Sequence, residues 1–343
     1  MINIVTPTYS QHFKYNTLFL DSLIEHCEDK DEVIVNFIVS DFEKESLETL
    51  LEGHRKKLNI RVVALKDLVK EIFDDYIDDA QLLKDIGKYN FQSLKKLVGA
   101  YKFGTPYSLV MDAEALGIRN FKMKNLVDSY FSDKRNVFYT KNDYGNLADI
   151  QKKVIESGSK IIGQDPSTTL YFLEAYNWFL DKRILEDLFQ EVYSLHDEDV
   201  LYVLTKKYEV VFDIVLYYLY IYYNNPKYKY KFVCINDELH KIMGEERYKE
   251  YISQKELHTA FEFHAKILNS RYYSKVFEKF YSMNKLNFFK YGILNQAQFS
   301  NHQIDFIENT KDIIFLCTLW HVPHKEIQEL RERLKLVGES KWH

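Results

Sequence analysis

Cysteine is scarce and unpatterned. Cys27, Cys234 and Cys317 are the three in 343 residues, an odd number, widely separated and without CxxC spacing. This argues against a disulfide framework and for reduced core thiols in a cytoplasmic protein. A concentrated basic block is also missing: 46 Lys plus Arg stand against 51 Asp plus Glu, a formal charge of −5. Nucleic acid is therefore not an expected partner, and strong binding to anionic lipids has no support from the total charge. Long apolar runs are absent too. The longest, residues 210–223, is interrupted by Asp213 and carries five tyrosines, too short and too polar to span a bilayer. The first residues run straight into an apolar strand pattern without a basic leader, so no signal peptide is expected. No GxGxxG follows that first strand, which argues against a dinucleotide-dependent oxidoreductase. Residues 6–16 hold no glycine- and basic-rich loop of the kind that marks nucleotidyltransferases. No internal repeat and no low-complexity linker divides the chain.

What is present is material for a large core. Apolar and aromatic residues make up 46% of the chain, with 27 Tyr and 24 Phe. The length suits one large domain with an appended lobe. Strand and helix signals alternate through the first third. Strands are predicted at 2–5, 33–39, 60–65 and 107–111, with helices at 15–26, 45–58, 68–86 and 91–101 between them. Such repeated strand–helix–strand units imply an α/β fold, a mainly parallel sheet covered by helices on both faces. After about residue 125 the pattern is mixed, with helices expected at 185–193 and 201–223 and a strand at 231–235. From 236 onward it becomes helix-rich, ending in an apolar strand at 313–320. Domains are expected at 1–235 and 236–343, the second a mainly helical lobe packed on the first.

Ligands of open parallel sheets sit beyond the carboxyl ends of the strands. Three polar clusters fall on that edge: Thr6-Pro7-Thr8-Tyr9, Ser40-Asp41 and Asp112-Ala113-Glu114. Met111-Asp112-Ala113-Glu114 is the sharpest. Two carboxylates at i and i+2 after an apolar strand converge on one cleft if the chain turns there, and hard ions such as Mn²⁺ or Mg²⁺ take carboxylate oxygens together with substrate phosphates. The plain alternative is a solvated loop. Gln92 and Lys96 stand four apart and share one helix face, which by itself reads as an ordinary solvated face.

In order and spacing, residues 5–9, Ser40-Asp41, residues 111–114 and Glu198-Asp199-Val200-Leu201 resemble the nucleotide-sugar-dependent glycosyltransferases of the GT-A fold, bacterial surface-glycan type. The match spans roughly the first 200 residues; Glu114 replaces the usual second aspartate, keeping the charge and adding one methylene. The resemblance implies a nucleotide-sugar site formed by Thr6, Pro7, Thr8, Tyr9, Asp41, Gln92, Lys96, Met111, Asp112 and Ala113. It implies a Mn²⁺ or Mg²⁺ held by Asp112, Glu114 and His321, with His324 the alternative. Asp41 would accept from a ribose hydroxyl or a base N–H, or else serve as a helix N-cap. Thr6 and Thr8 suit nucleotide contact and ordinary turns alike.

The acids at 197–199 introduce a helix, where the dipole alone favours them. The resemblance adds a role: Asp199, or Glu198 or Asp197 in its place, as the base that takes a proton from the acceptor hydroxyl. Tyr171, Phe172, Tyr176, Trp178 and Phe179 supply ring faces for a sugar or for the core, and Trp178 is the candidate acceptor contact. The implied reaction moves a sugar from a nucleoside diphosphate, uridine by default, onto a carbohydrate or lipid-linked glycan, as in capsule or lipopolysaccharide synthesis. Inversion is expected and retention stays open. The place of action is the cytoplasm, with peripheral membrane contact possible. A carbohydrate-binding relative without catalysis, or a nucleotidyltransferase, is the rival.

Overall fold

The structure is a computed structural model and describes residues 1–132, 136–141, 149–167, 169–172, 178–253, 279, 282–283, 290–292, 307–317 and 324–335. Its centre is a five-stranded sheet in the order β3 (Asn59–Ala64), β2 (Val33–Val39), β1 (Ile2–Pro7), β4 (Tyr107–Val110) and β8 (Phe179–Asp181). The first four run parallel, and β8 is antiparallel to β4. Every residue of β2 is buried, as expected of a central parallel strand covered on both faces. The helices between the strands are α1 (Phe13–His26), α2 (Asp41–Arg55), α3 (Leu65–Phe73) and α4 (Asp79–Phe103). The expected α/β architecture is observed.

Helix boundaries depart from the periodicity at two places. The apolar spacing over 68–86 predicts one helix, yet α3 ends at Phe73, where Asp74 adopts a left-handed conformation (φ 53°). A new helix starts after Asp78, whose side chain caps it by accepting from Gln81 N. Within α4, Gly87 (φ 76°, ψ 164°) breaks the helical path, a backbone state open to glycine. The second break divides the helix expected at 201–223. A short helix α8 (Val200–Tyr202) and a π-helical turn (Val203–Lys207) are followed by extended residues, and α9 (Asp213–Tyr223) starts afresh.

Beyond β4 the chain forms β5 (Leu116–Gly117), α5 (Met123–Ser132), β6 (Asn136–Lys141), α6 (Asp149–Ile161), β7 (Leu170–Tyr171) and α7 (Lys182–His196). After α9 come α10 (Asn225–Tyr228), β9 (Lys231–Cys234), α11 (Ile235–Met243), α12 (Glu245–Ser253), β10 (Lys290–Gly292), β11 (Phe315–Cys317) and α13 (His324–Lys335). β6 joins β7 and β9 in one small sheet. In another, β11 pairs with both β10 and β5, so residues from beyond 235 complete a sheet begun immediately after β4. Among the described residues no helix is long and apolar enough to cross a membrane.

Candidate active site at the sheet edge

Backbone bonds beyond the ends of the strands set the site. Met111 N donates to Val5 O (2.9 Å), Thr8 N to Ile38 O (3.0 Å) and Val110 N to Trp178 O (2.9 Å). These bonds bring the residues after β1, β2 and β4, and the residue before β8, to one edge. The three sequence clusters therefore share the carboxyl end of the parallel strands.

Two buried lysines rise from α4 beneath that edge. Lys95 Nζ donates to Thr8 O (3.0 Å). Lys96, only 6% exposed, places Nζ 3.0 Å from Asp112 Oδ1 and 4.5 Å from the centre of the Trp178 ring. Lys290 of β10, 4% exposed, approaches the same ring to 4.0 Å. Burial opposes the charge on Lys96, but Asp112 and Asp213 outweigh it and hold its pKa above the usual value. Burial likewise opposes the charge on Asp112, while Lys96 and then Lys290 keep its carboxyl below the ordinary range. Lys290 is pulled down to about 8, chiefly by burial. Gln92 is half-buried one turn before Lys96, while Met111 and Ala113 are buried on either side of Asp112.

Glu114 lies next to a hydrogen-bonded chain that starts at solvent and ends at His12. Lys88 Nζ donates to Tyr9 Oη (2.7 Å), Tyr9 Oη lies 2.7 Å from His12 Nε2, and His12 Nδ1 lies 3.3 Å from Glu114 Oε1. Burial, then Lys88, lowers His12 to about 4, so the ring is neutral at pH 7. The tautomer protonated on Nδ1 suits this arrangement, since Nε2 then accepts from Tyr9 and the N–H stands on the side of the Glu114 carboxylate. Burial, and next the charge of Asp112, push Glu114 up to about 7.

Asp213, the first residue of α9, stands in the same cluster, 1% exposed, accepting from Ser93 Oγ (3.2 Å). Asn90 secures its approach by donating to Glu209 O (3.0 Å) and accepting from Val211 N (2.9 Å), which fixes residues 209–211 against α4. Phe212 packs on Tyr89, ring centres 5.5 Å apart.

The remaining candidates separate into three groups. Thr6 and Thr8 are buried under the edge, Thr8 Oγ1 accepting from Asn16 Nδ2 (2.8 Å). Asp41 opens α2, with Ser40 in the cap position; its carboxylate meets Lys66 Nζ at 2.5 Å and its N–H donates to Asp79 (2.8 Å). Asp199 is exposed and caps α8 by accepting from Tyr202 N (3.2 Å), and Glu198 pairs with Lys207. Among the described residues no contact joins either acid to Asp112. Tyr171, Phe172 and Phe179 are core residues, Phe172 packing on Tyr139, Tyr218, Tyr222 and Phe232. Tyr176 and His321 lie outside the described residues, as does the side chain of His324.

The sequence reading did not single out His12, Lys88, Lys95, Asp213 or Lys290. Asp213 carried a visible signal, the lone charge in the apolar run 210–223. Lys290 carried none, because a strand far along the chain delivers it.

The chemistry of the donor set suits a hard divalent ion. Asp112 and Glu114 repel one another strongly enough to help raise Glu114, the strain that a cation relieves. Mg²⁺-type sites need only one or two carboxylates when phosphates supply the rest. Among the described residues no group of three or more His, Cys, Asp and Glu is placed to hold a metal by itself.

No family model and no curated protein matches the chain. Among solved structures it is similar to mouse xyloside xylosyltransferase 1, apo form (12% identity, 68% of this chain and 84% of that one, TM-score 0.35). It is also similar to core-mannan synthase A from Aspergillus fumigatus in a Mn/GDP form (10%, 69% and 73%, TM-score 0.38). A third is S. aureus TarS residues 1–349 in complex with UDP (17%, 98% and 90%, TM-score 0.31). With TM-scores below 0.5, the functional reading rests on the side chains of this chain.

Proposed function

We propose that the chain is a glycosyltransferase that moves a sugar from a nucleoside-diphosphate donor onto a carbohydrate or lipid-linked glycan, in the manner of surface-glycan assembly at the cytoplasmic face. One observation carries the reading. Beyond the carboxyl ends of parallel strands, Lys96 and Lys290 close on the buried Trp178 ring beside Asp112, with Glu114 two residues on. Buried ammonium groups at a ligand-binding edge suit an anion of high charge, and a diphosphate leaving group is one.

In this reading Thr6, Thr8 and Asp41 flank the nucleoside, and Lys96 with Lys290 takes the charge that develops on the departing diphosphate. Asp112 and Glu114 would hold Mn²⁺ or Mg²⁺, which supplies further neutralisation of the leaving group. Lys88 and Tyr9 hold His12 beside the Glu114 carboxylate. Trp178 presents little surface, so its part is to support the two lysines, with sugar contact limited to its edge.

The test is a donor screen with Mn²⁺, following nucleoside-diphosphate release and thermal shift across the common nucleotide sugars. Release with one donor, reduced at least about 100-fold in Asp112→Ala and Lys96→Met, supports the proposal. No release and no shift with any donor sinks it, and retained sugar binding would then favour a binding module.

A further inference from the structure

Two backbone irregularities border one cleft. On the α4 side Gly87 (φ 76°) breaks the helix next to Ile86; on the other side the chain makes the π-helical turn Val203–Lys207 and then runs extended. Such departures from regular structure cost energy and gather at ligand sites. The cleft has a volume of about 490 Å³, within the ~300–1,000 Å³ of small-molecule sites. Ile86 and Tyr208, both half-buried, give it apolar and aromatic surface. Tyr208 meets His196 in a T-shaped contact, ring centres 5.9 Å apart, and its hydroxyl has no hydrogen-bond partner among the described residues. The charged groups that line the cleft balance. Lys207 pairs with Glu198 and Glu209 with Lys153, while Asp85 and Lys206, both exposed, are of opposite sign. A ring face, hydrogen-bonding groups of both kinds and no excess charge are the recognition chemistry of a neutral sugar.

The cleft leads along α4 to the donor edge. Asn90, which lines it, binds Glu209 O and Val211 N; Ser93, three residues on, binds Asp213; Lys96, three further on, meets Asp112. From Asn90 to Lys96 the helix rises about 9 Å, a span that one or two units of a glycan bridge. Tyr89, 56% exposed and packed on Phe212, adds ring surface beside Asn90. We infer that this cleft is an acceptor subsite, in which Tyr208 stacks on a neutral sugar unit one or two positions away from the hydroxyl that is glycosylated. The inference rests on the glycosyltransferase reading. Glu198 then serves the acceptor cleft, where it holds Lys207 at the wall, and not the centre at Asp112.

The experiment titrates the full-length chain with lactose, cellobiose, chitobiose and mannobiose by saturation-transfer NMR, with inorganic pyrophosphate as the anionic probe. A disaccharide that binds wild type is expected to lose affinity about 10-fold in Tyr208→Ala and about 3-fold in Lys206→Ala, and to keep it within about 3-fold in Tyr208→Phe. With the donor found in the screen, Tyr208→Ala is expected to raise KM for that disaccharide about 10-fold with transfer kcat within about 3-fold of wild type. Lys206 is exposed, so Lys206→Ala carries the test where Tyr208→Ala does not fold. No binding of any of the four disaccharides overturns the inference, as does pyrophosphate displacing the one that binds. Donor release by wild type, with saccharide binding and KM unmoved in both alanine variants, removes the subsite and leaves the glycosyltransferase reading standing. No turnover of any donor, with saccharide binding still lost in Tyr208→Ala, brings down that reading and the acceptor role with it, and leaves the cleft to a binding module.

Discussion

Lys96 is the side chain on which both electrostatics and packing converge. It is buried against the Trp178 ring and holds its charge because Asp112 and Asp213 stand beside it. Replacing it by Met keeps most of the volume and leaves the two acids without that cation. Breaking a buried charge set in this way costs about 3 kcal/mol or more, so urea unfolding of Lys96→Met is expected to show that loss at pH 7.5 alongside the loss of donor release. Asp79 gives a second residue-scale test, in pH. It is 1% exposed, accepts the Asp41 N–H at 2.8 Å, and burial pushes it from its ordinary 3.8 up to about 6. A carboxyl raised in the folded state binds its proton more tightly there than in the unfolded chain. Its contribution is complete below the unfolded value and is lost as pH rises through about 6, up to about 3 kcal/mol in all. Asp79→Asn, which keeps an acceptor oxygen for Asp41, is expected to gain stability relative to wild type at pH 7.5 and not at pH 4. Equal effects at the two pH values would show that Asp79 is not raised.

Among the elements, α4 does most to build the site, and two glycines let it do so. A Cβ on Gly99 would stand 2.7 Å from Val5 Cγ1 and 3.1 Å from Ile38 Cγ1, so the helix lies against β1 and β2 with no room for a methyl group. Gly99→Ala is expected to destabilise by about 1–3 kcal/mol in urea titration, through overpacking, despite alanine's better helix propensity. Gly87 has open space around it, and its positive φ is the constraint. It redirects the chain just before Lys88 and Tyr89. The apolar period at 91–101 made the second half of α4 legible, and the alternation of strands and helices made the parallel sheet and its ligand edge legible. Asp112, Glu114 and Lys96 follow, because a strand end and a helix face are local features. The break at Gly87 and the stop at Asp74 are less visible, since isolated backbone states interrupt an otherwise unbroken apolar period. Asp213 is visible in sequence as the lone charge in the apolar run 210–223, where it argues against membrane insertion. Its place in the structure depends on Asn90, 123 positions from it in sequence, holding the segment that leads into α9.

At the scale of the whole molecule, the site is shared between distant parts of the chain, and Arg119 ties them. Its buried guanidinium donates to Ile313 O (2.6 Å), to Ile307 O and to Glu308 O (3.2 Å). Ile118 N reaches Ile314 O (2.8 Å), and β5 pairs with β11 through Gly117 and Phe315. β11 carries β10 by parallel pairing of Lys290 with Phe315, and Lys290 returns to the Trp178 ring. The apolar strand expected at 313–320 contains β11, but its pattern does not announce this route, which runs through carbonyl groups and the short strands β5, β10 and β11. Arg119→Met removes charged donors from three carbonyls, two of them buried, at a cost of about 1.5–3 kcal/mol for each such bond before relaxation. The central sheet makes none of these bonds, so the loss falls on the docking of residues 290–292 and 307–317. Hydrogen exchange on Arg119→Met is expected to quicken at β10 and β11 while β1, β2 and β4 keep their protection, with donor release falling as Lys290 loses its place. Protection lost equally in β2 and β11 would instead show that the molecule unfolds as one cooperative unit and that Arg119 stabilises all of it.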